Sequence, residues 1–119
     1  MSSDQRVVIH VTSDESGDWR MALRNLANLV RDDSVSTPPS MMRLVVNGPA
    51  VRFLLASAPE ADRVGTMIDN GVAVCACENS LDRFGHEAAA LAEGVETIPS
   101  GVAEVVRTQH RGANYLKLP

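Results

Sequence analysis

Short runs of β-branched residues alternate with segments whose apolar residues recur at helical spacing, and that alternation restricts the chain to an α/β architecture. Residues 6–12 (RVVIHVT) are almost continuously apolar, as a central parallel strand must be when both its faces are covered. Residues 42–46 (MRLVV) and 72–77 (VAVCAC) repeat the pattern, and the shorter runs 95–98 and 115–118 predict a fourth and a fifth strand. Between the first two strands, Trp19, Ala22, Leu23, Leu26, Ala27 and Val30 lie at helical spacing, with Ser16 as a candidate cap. A short helix is expected from Pro49, with Ala50, Val51, Leu54 and Leu55 on its apolar face, and a second carries Val64, Met67 and Ile68 up to Asn70-Gly71. After the third strand, Asn79 or Ser80 can cap a helix with Leu81, Phe84, Ala88 and Leu91 inward and Gly94 at its end. The last helix opens at Pro99-Ser100-Gly101 and places Val102, Val105 and Val106 inside.

Strands alternating with helices imply a sheet covered on both faces, and 119 residues give room for one domain, residues 1–119. Ligand-binding and catalytic groups of such sheets gather beyond the carboxyl ends of the strands. The loops at 13–16, 47–49, 77–80 and 99–101 meet that description. Aromatic residues make up only 3% of the chain and its formal net charge is −4, so it lacks both the stacking platforms and the basic footprint of a nucleic-acid-binding protein. The same charge argues against an anionic membrane surface, and no apolar run reaches the ~18 residues of a membrane span. The polar start of the chain predicts no secretory signal, and two thiols suit a reducing compartment, so a cytoplasmic location is expected.

Cys77 is the sharpest candidate for chemistry. It ends a strand just before a helix N-terminus, where backbone N–H groups favour an anion and raise the thiolate fraction. The competing reading, a small buried inert side chain, fits the position equally well. Cys75 lies mid-strand on the same side and reads as core. A Cys-x-Cys pair can hold a soft metal, but no second close pair completes a four-ligand site, so no metal is expected. His10 reads as a buried structural side chain, and its pairing with Cys77 would require it to point toward the strand ends. His86 and His110 read as solvated. Asn47, Gly48, Ser100 and Gly101 are explained by turn and cap chemistry, or else line a pocket around Cys77 together with Glu78, Asn79 and Ser80. The acidic run Asp14, Glu15 and Asp18 reads as solvated and helix-stabilising.

The strand VVIHV, the stretch VVNGPAVRFLL (45–55), the stretch NGVAVCACENSL (70–81) and the ending IPSGVAEVVRTQHRGANYLK (98–117) together resemble the DsrE/DsrF-like sulfur-relay proteins. The most specific part is Cys-x-Asn-Ser, residues 77–80, at the end of a strand that follows an Asn-Gly turn. The resemblance implies a three-layer α/β/α sandwich with a mostly parallel five-stranded sheet. It implies homo-oligomers, trimers or hexamers built from trimers. It also implies that Cys77 corresponds to the cysteine that carries sulfur as a persulfide in sulfur-transferring members, exchanging it with a donor or acceptor protein and needing no cofactor. A His often precedes the Gly-Pro after the second strand in that family, and Asn47 stands there in this chain. The alternative is a non-catalytic oligomeric module that uses the same strand-end pocket for a small ligand or partner protein.

Overall fold

The computed structural model describes residues 6–35 and 37–119. Five strands, β1 (Val7–Val11), β2 (Met42–Val46), β3 (Ala73–Cys77), β4 (Glu96–Ile98) and β5 (Asn114–Lys117), form one sheet in the order β4-β3-β2-β1-β5. Every neighbouring pair is parallel. The six residues expected to be most buried, Val8, Ile9, Val45, Val46, Val74 and Cys75, are all at most 1% exposed, as strands covered on both faces require.

The helices divide unequally between the two faces, and the strand order explains why. From β1 to β2 to β3 to β4 the chain steps in one direction, so crossovers of constant hand put their helices on one face. Those elements are α1 (Ser16–Arg31), a 3-10 segment (Gly48–Leu54), α2 (Ala61–Asp69) and α3 (Glu78–Phe84). Trp19, Leu23, Leu26, Val51, Leu54, Val64, Met67 and Leu81 from these elements pack with Ile9, Val11, Leu44, Val46, Val74 and Ala76 in the main core. After β4 the chain doubles back to β5 on the far side of β1, which places α4 (Gly101–His110), alone among the α-helices of the described residues, on the opposite face. There Val105 packs on Val8, Val45, Cys75 and Ile98. Glu104, 5% exposed, accepts from Arg43 Nε at 2.6 Å and pairs with Arg107 at 3.0 Å, fixing the helix against β2. Burial would push its carboxyl pKa up, but the two guanidinium groups more than offset this and hold it below the ordinary value.

The structure corrects several local expectations. The helix after β3 begins at Glu78, so Cys77 itself occupies the cap position, and it ends at Phe84 rather than at Gly94. Gly85, at φ 76°, stops it, with His86 N–H bonded to the Leu81 carbonyl in a left-handed cap. Phe84 is therefore 42% exposed, Ala88 lies in a separate 3-10 turn, and Leu91 pairs with Leu55 through an isolated bridge. In α4 the inward row is Gly101, Glu104, Val105 and Thr108, whereas Val102 and Val106 are 59% and 46% exposed. Ser16 opens α1 rather than capping it. The Ser13 hydroxyl instead accepts from Glu15 N–H and donates to Asp18.

Two glycines separate conformational strain from space. A Cβ at Gly85 or at Gly65 would meet nothing within 4 Å, but only Gly85 has a positive φ. Gly85→Ala is expected to destabilise by about 1–2 kcal/mol. Gly65→Ala, inside α2, is expected to stabilise by about 0.5–1 kcal/mol. Urea denaturation of the two variants tests this, and equal effects would contradict the assignment.

Candidate functional site

The reversal of strand order after β4 creates the site. β3 is followed by a helix on one face and its neighbour β4 by a helix on the other, so the carboxyl ends of these two strands diverge at a topological switch point. Cys77 ends β3, and Ser100 and Gly101 follow β4. Val45 pairs with Cys75, which puts Asn47, two residues on, level with Cys77 and on the same face. Gly101 closes the group. A Cβ there would lie 2.9 Å from Asn47 Cβ, 3.3 Å from Cys77 Cβ and 3.3 Å from Val45 Cγ1, so only glycine lets the start of α4 descend onto these side chains.

Donors converge on the sulfur. Burial would push the Cys77 thiol pKa up, but the Ser80 hydroxyl and the N–H groups of Gly101, Ser80 and Asn79 favour the thiolate, and the balance falls below the ordinary cysteine value. Ser80 is itself oriented, because its oxygen accepts from Gly48 N–H at 2.7 Å and its proton is left to face the thiolate. Asn79 N–H also bonds the Pro99 carbonyl at 3.3 Å, tying the ends of β3 and β4 together. Cys75, one pleat deeper and fully buried, has no such ring of donors. Desolvation pushes its pKa up to about 12, only partly offset by Arg43.

Of the other residues singled out from sequence, Glu78 and Asn79 have exposed side chains, so Asn79 contributes through its backbone. The Ser100 hydroxyl accepts from Ala103 N–H and serves as the cap of α4. Cys77 is only 4% exposed, not open to a cavity as expected, because Gly101 and Asn47 pack over it. A cleft of about 260 Å³ lined by Arg6, Met41, Arg43 and Arg111 lies at the amino-terminal end of the sheet, away from the thiol. Among the described residues no group of three or more His, Cys, Asp or Glu could hold a metal ion, and no helix is long and apolar enough to cross a membrane.

His10, read from sequence as a buried structural side chain, is half-buried and reaches the site through Asn47. Its Nε2 lies in hydrogen-bond contact with Asn47 Oδ1, and its Nδ1 is 2.9 Å from the Tyr115 hydroxyl. Tyr115 reaches it because β5 docks beside β1 with Tyr115 level with Val8. A histidine inside an otherwise apolar strand was the only signal of this row in the sequence.

The sequence profile of the DsrE/DsrF-like family matches residues 5–118. Among solved structures, a protein of unknown function from Methanobacterium thermoautotrophicum is 29% identical, with a TM-score of 0.87 and coverage of 96% of this chain and 99% of that one. The ychN protein of E. coli is 20% identical, with a TM-score of 0.78 over 95% of this chain and 98% of its own. A conserved protein of unknown function from Bacteroides thetaiotaomicron is 10% identical, with a TM-score of 0.70 over 98% and 99% of the two chains. The last two similarities concern the fold. No curated protein matches the chain.

Two measurements address the geometry. Alkylation over a range of pH, followed by peptide mapping, should label Cys77 with a midpoint below that of free cysteine and leave Cys75 unlabelled. Ser80→Ala should move the Cys77 midpoint upward, and equal rates at the two thiols would contradict the donor arrangement. Gly101→Ala should cost about 1–3 kcal/mol in urea denaturation, because its Cβ overlaps Asn47 and Cys77 and α4 must lift. A neutral substitution there would mean that α4 does not seat as described.

Proposed function

Because the chain belongs to the DsrE/DsrF-like family, we propose that it carries or transfers sulfane sulfur as a persulfide on Cys77. The observation that carries the reading is the set of donors around that one sulfur: a hydroxyl and three backbone N–H groups that favour its anion. Sulfur transfer needs a thiolate nucleophile, and fixed donors in a site closed to water stabilise charge on sulfur without reorganising. The contrast with Cys75, whose thiol burial holds neutral, restricts the chemistry to one of two cysteines on the same strand.

Near-complete cover of Cys77 favours a second reading, an oligomeric module whose strand-end residues bind a small ligand or partner protein without covalent chemistry. The two differ in whether Cys77 gains sulfur. We further propose a homo-oligomer, trimeric or hexameric, in the cytoplasm. The exposed Val102 and Val106 on the outer side of α4 support an assembly, since apolar side chains on one helix face lose water when a second copy covers them.

Intact-mass spectrometry after incubation with inorganic polysulfide is the test. Wild type should gain the mass of one sulfur atom and Cys77→Ala none, whereas Cys75→Ala should load like wild type. Failure of the wild-type protein to gain sulfur would leave the binding-module reading. Light scattering on the same samples should show a multiple of three chains, and a monomer at micromolar concentration would contradict the assembly.

A further inference from the structure

We propose that the side-chain amide of Asn47 binds the outer sulfur of a Cys77 persulfide, and that His10, backed by Tyr115, holds the amide with its N–H2 group turned toward that sulfur. The proposal rests on the persulfide reading above and adds the residue that receives the transferred atom.

The polarity of the hydrogen-bond chain carries the argument. His10 Nε2 touches Asn47 Oδ1 and its Nδ1 touches the Tyr115 hydroxyl. An amide oxygen can only accept, so Nε2 must donate to it, and a neutral ring then leaves Nδ1 to accept from the tyrosine. With Oδ1 committed to the histidine, the amide keeps only donors for the other side. Asn47 and Cys77 start side by side, since one hypothetical Cβ on Gly101 would crowd both their Cβ atoms. A cation at the same level of the sheet is engaged elsewhere. Lys117, level with His10 on β5, gives its ammonium protons to Thr12 Oγ1 and to the carbonyls of Leu118 and Pro119.

Space requires a second receiving group. The donors of Ser80, Gly101 and Asn79 surround the position of the inner sulfur. An outer sulfur sits a further ~2.05 Å along the S–S bond, beyond that ring. Cys77 is 4% exposed, so the added atom must settle against a neighbouring side chain. Val45 offers only methyl groups, whereas half-buried Asn47 offers N–H. A neutral amide suits the outer sulfur because it donates to an anion without protonating it, and a carboxylate of the same shape would repel it.

The transfer step balances without an oxidant. The Cys77 thiolate pair forms a bond to the outer sulfur of a donor persulfide, the donor's own S–S bond breaks, and its electron pair leaves on the donor thiolate. The proton of the outer sulfur passes to that leaving thiolate. The Cys77 persulfide anion is then the species that the Asn47 amide holds.

The test compares wild type, Asn47→Asp, His10→Leu and His10→Gln after loading with inorganic polysulfide, reading the loaded fraction and the pH midpoint at which the outer sulfur is alkylated. Asn47→Asp should lower the loaded fraction about tenfold and raise the midpoint, the expected scale for replacing a half-buried donor by a charge. His10→Leu should shift both in the same direction, and His10→Gln, which keeps an N–H near the Nε2 position, should recover most of that loss. Alkylation of the unloaded His10 variants reports the inner sulfur and should stay within about twofold of wild type, a result that general unfolding would not produce. If wild type loads, and Asn47→Asp and His10→Leu load equally well with the same midpoint, the inference is overturned while sulfur carriage stands. If wild type itself gains no sulfur on Cys77, the reading beneath fails and the inference with it. Should Asn47→Asp not fold, the two His10 variants decide alone.

Discussion

The chain reversal after β4 is the constraint on which the rest of the structure depends. Constant-handed crossovers place α1, α2 and α3 on one side while the strands advance from β1 to β4, and the jump back past β1 to β5 forces α4 to the other. Neighbouring strands β3 and β4 then send their chains to opposite faces. Their carboxyl ends are the one place on this sheet where two helix starts flank a single side chain, and that side chain is Cys77. The reversal also lays β5 against β1, which brings Tyr115 to His10.

A lone helix covering one face must be held closely, and two features of α4 do this. The first is Gly101, whose missing Cβ allows the helix start to touch Asn47, Cys77 and Val45. The second is Glu104, nearly buried between Arg43 and Arg107. A buried ion pair contributes little net stability after desolvation, but its geometry fixes which turn of the helix sits over which strand. Removing one partner would leave an uncompensated charge under the helix. Glu104 and Gly101 both lie in the first turn of α4, and together they hold its start against β2 and β3.

Burial is opposed at both cysteines, by the charge of Arg43 at Cys75 and by hydrogen-bond donors at Cys77, with different outcomes. At Cys75 desolvation dominates and the thiol stays neutral. At Cys77, less deeply buried, a smaller penalty is more than offset by the Ser80 hydroxyl and the N–H groups of Gly101, Ser80 and Asn79. Two residues of separation along a strand preserve the side of the sheet and change the chemistry: Cys75 lies among strand N–H groups committed to the ladders, whereas Cys77 meets the Ser80 and Gly101 N–H groups at two helix starts.

The sequence by itself determined the elements that depend on local pattern. The buried strands follow from continuous β-branched runs, α1 from its apolar spacing, and the prominence of Cys77 from its place between a strand and a helix. The family resemblance was legible in the order of four stretches, and the five-stranded sheet followed. Tertiary structure alone decided what depends on pairs distant along the chain. Val102 and Val106 look inward by composition, yet one helix on an open face buries a single row, and the row chosen contains Glu104 because Arg43 waits beneath it. Helix α3 stops early because Gly85 adopts a left-handed backbone, where the apolar spacing alone would have carried it on to Leu91. Most consequentially, His10 bonds to Asn47 and Tyr115, which lie 37 and 105 residues away along the chain. No periodicity links the three, because strand order and register, set by burial and crossover hand, are what place them in one row beside the thiol.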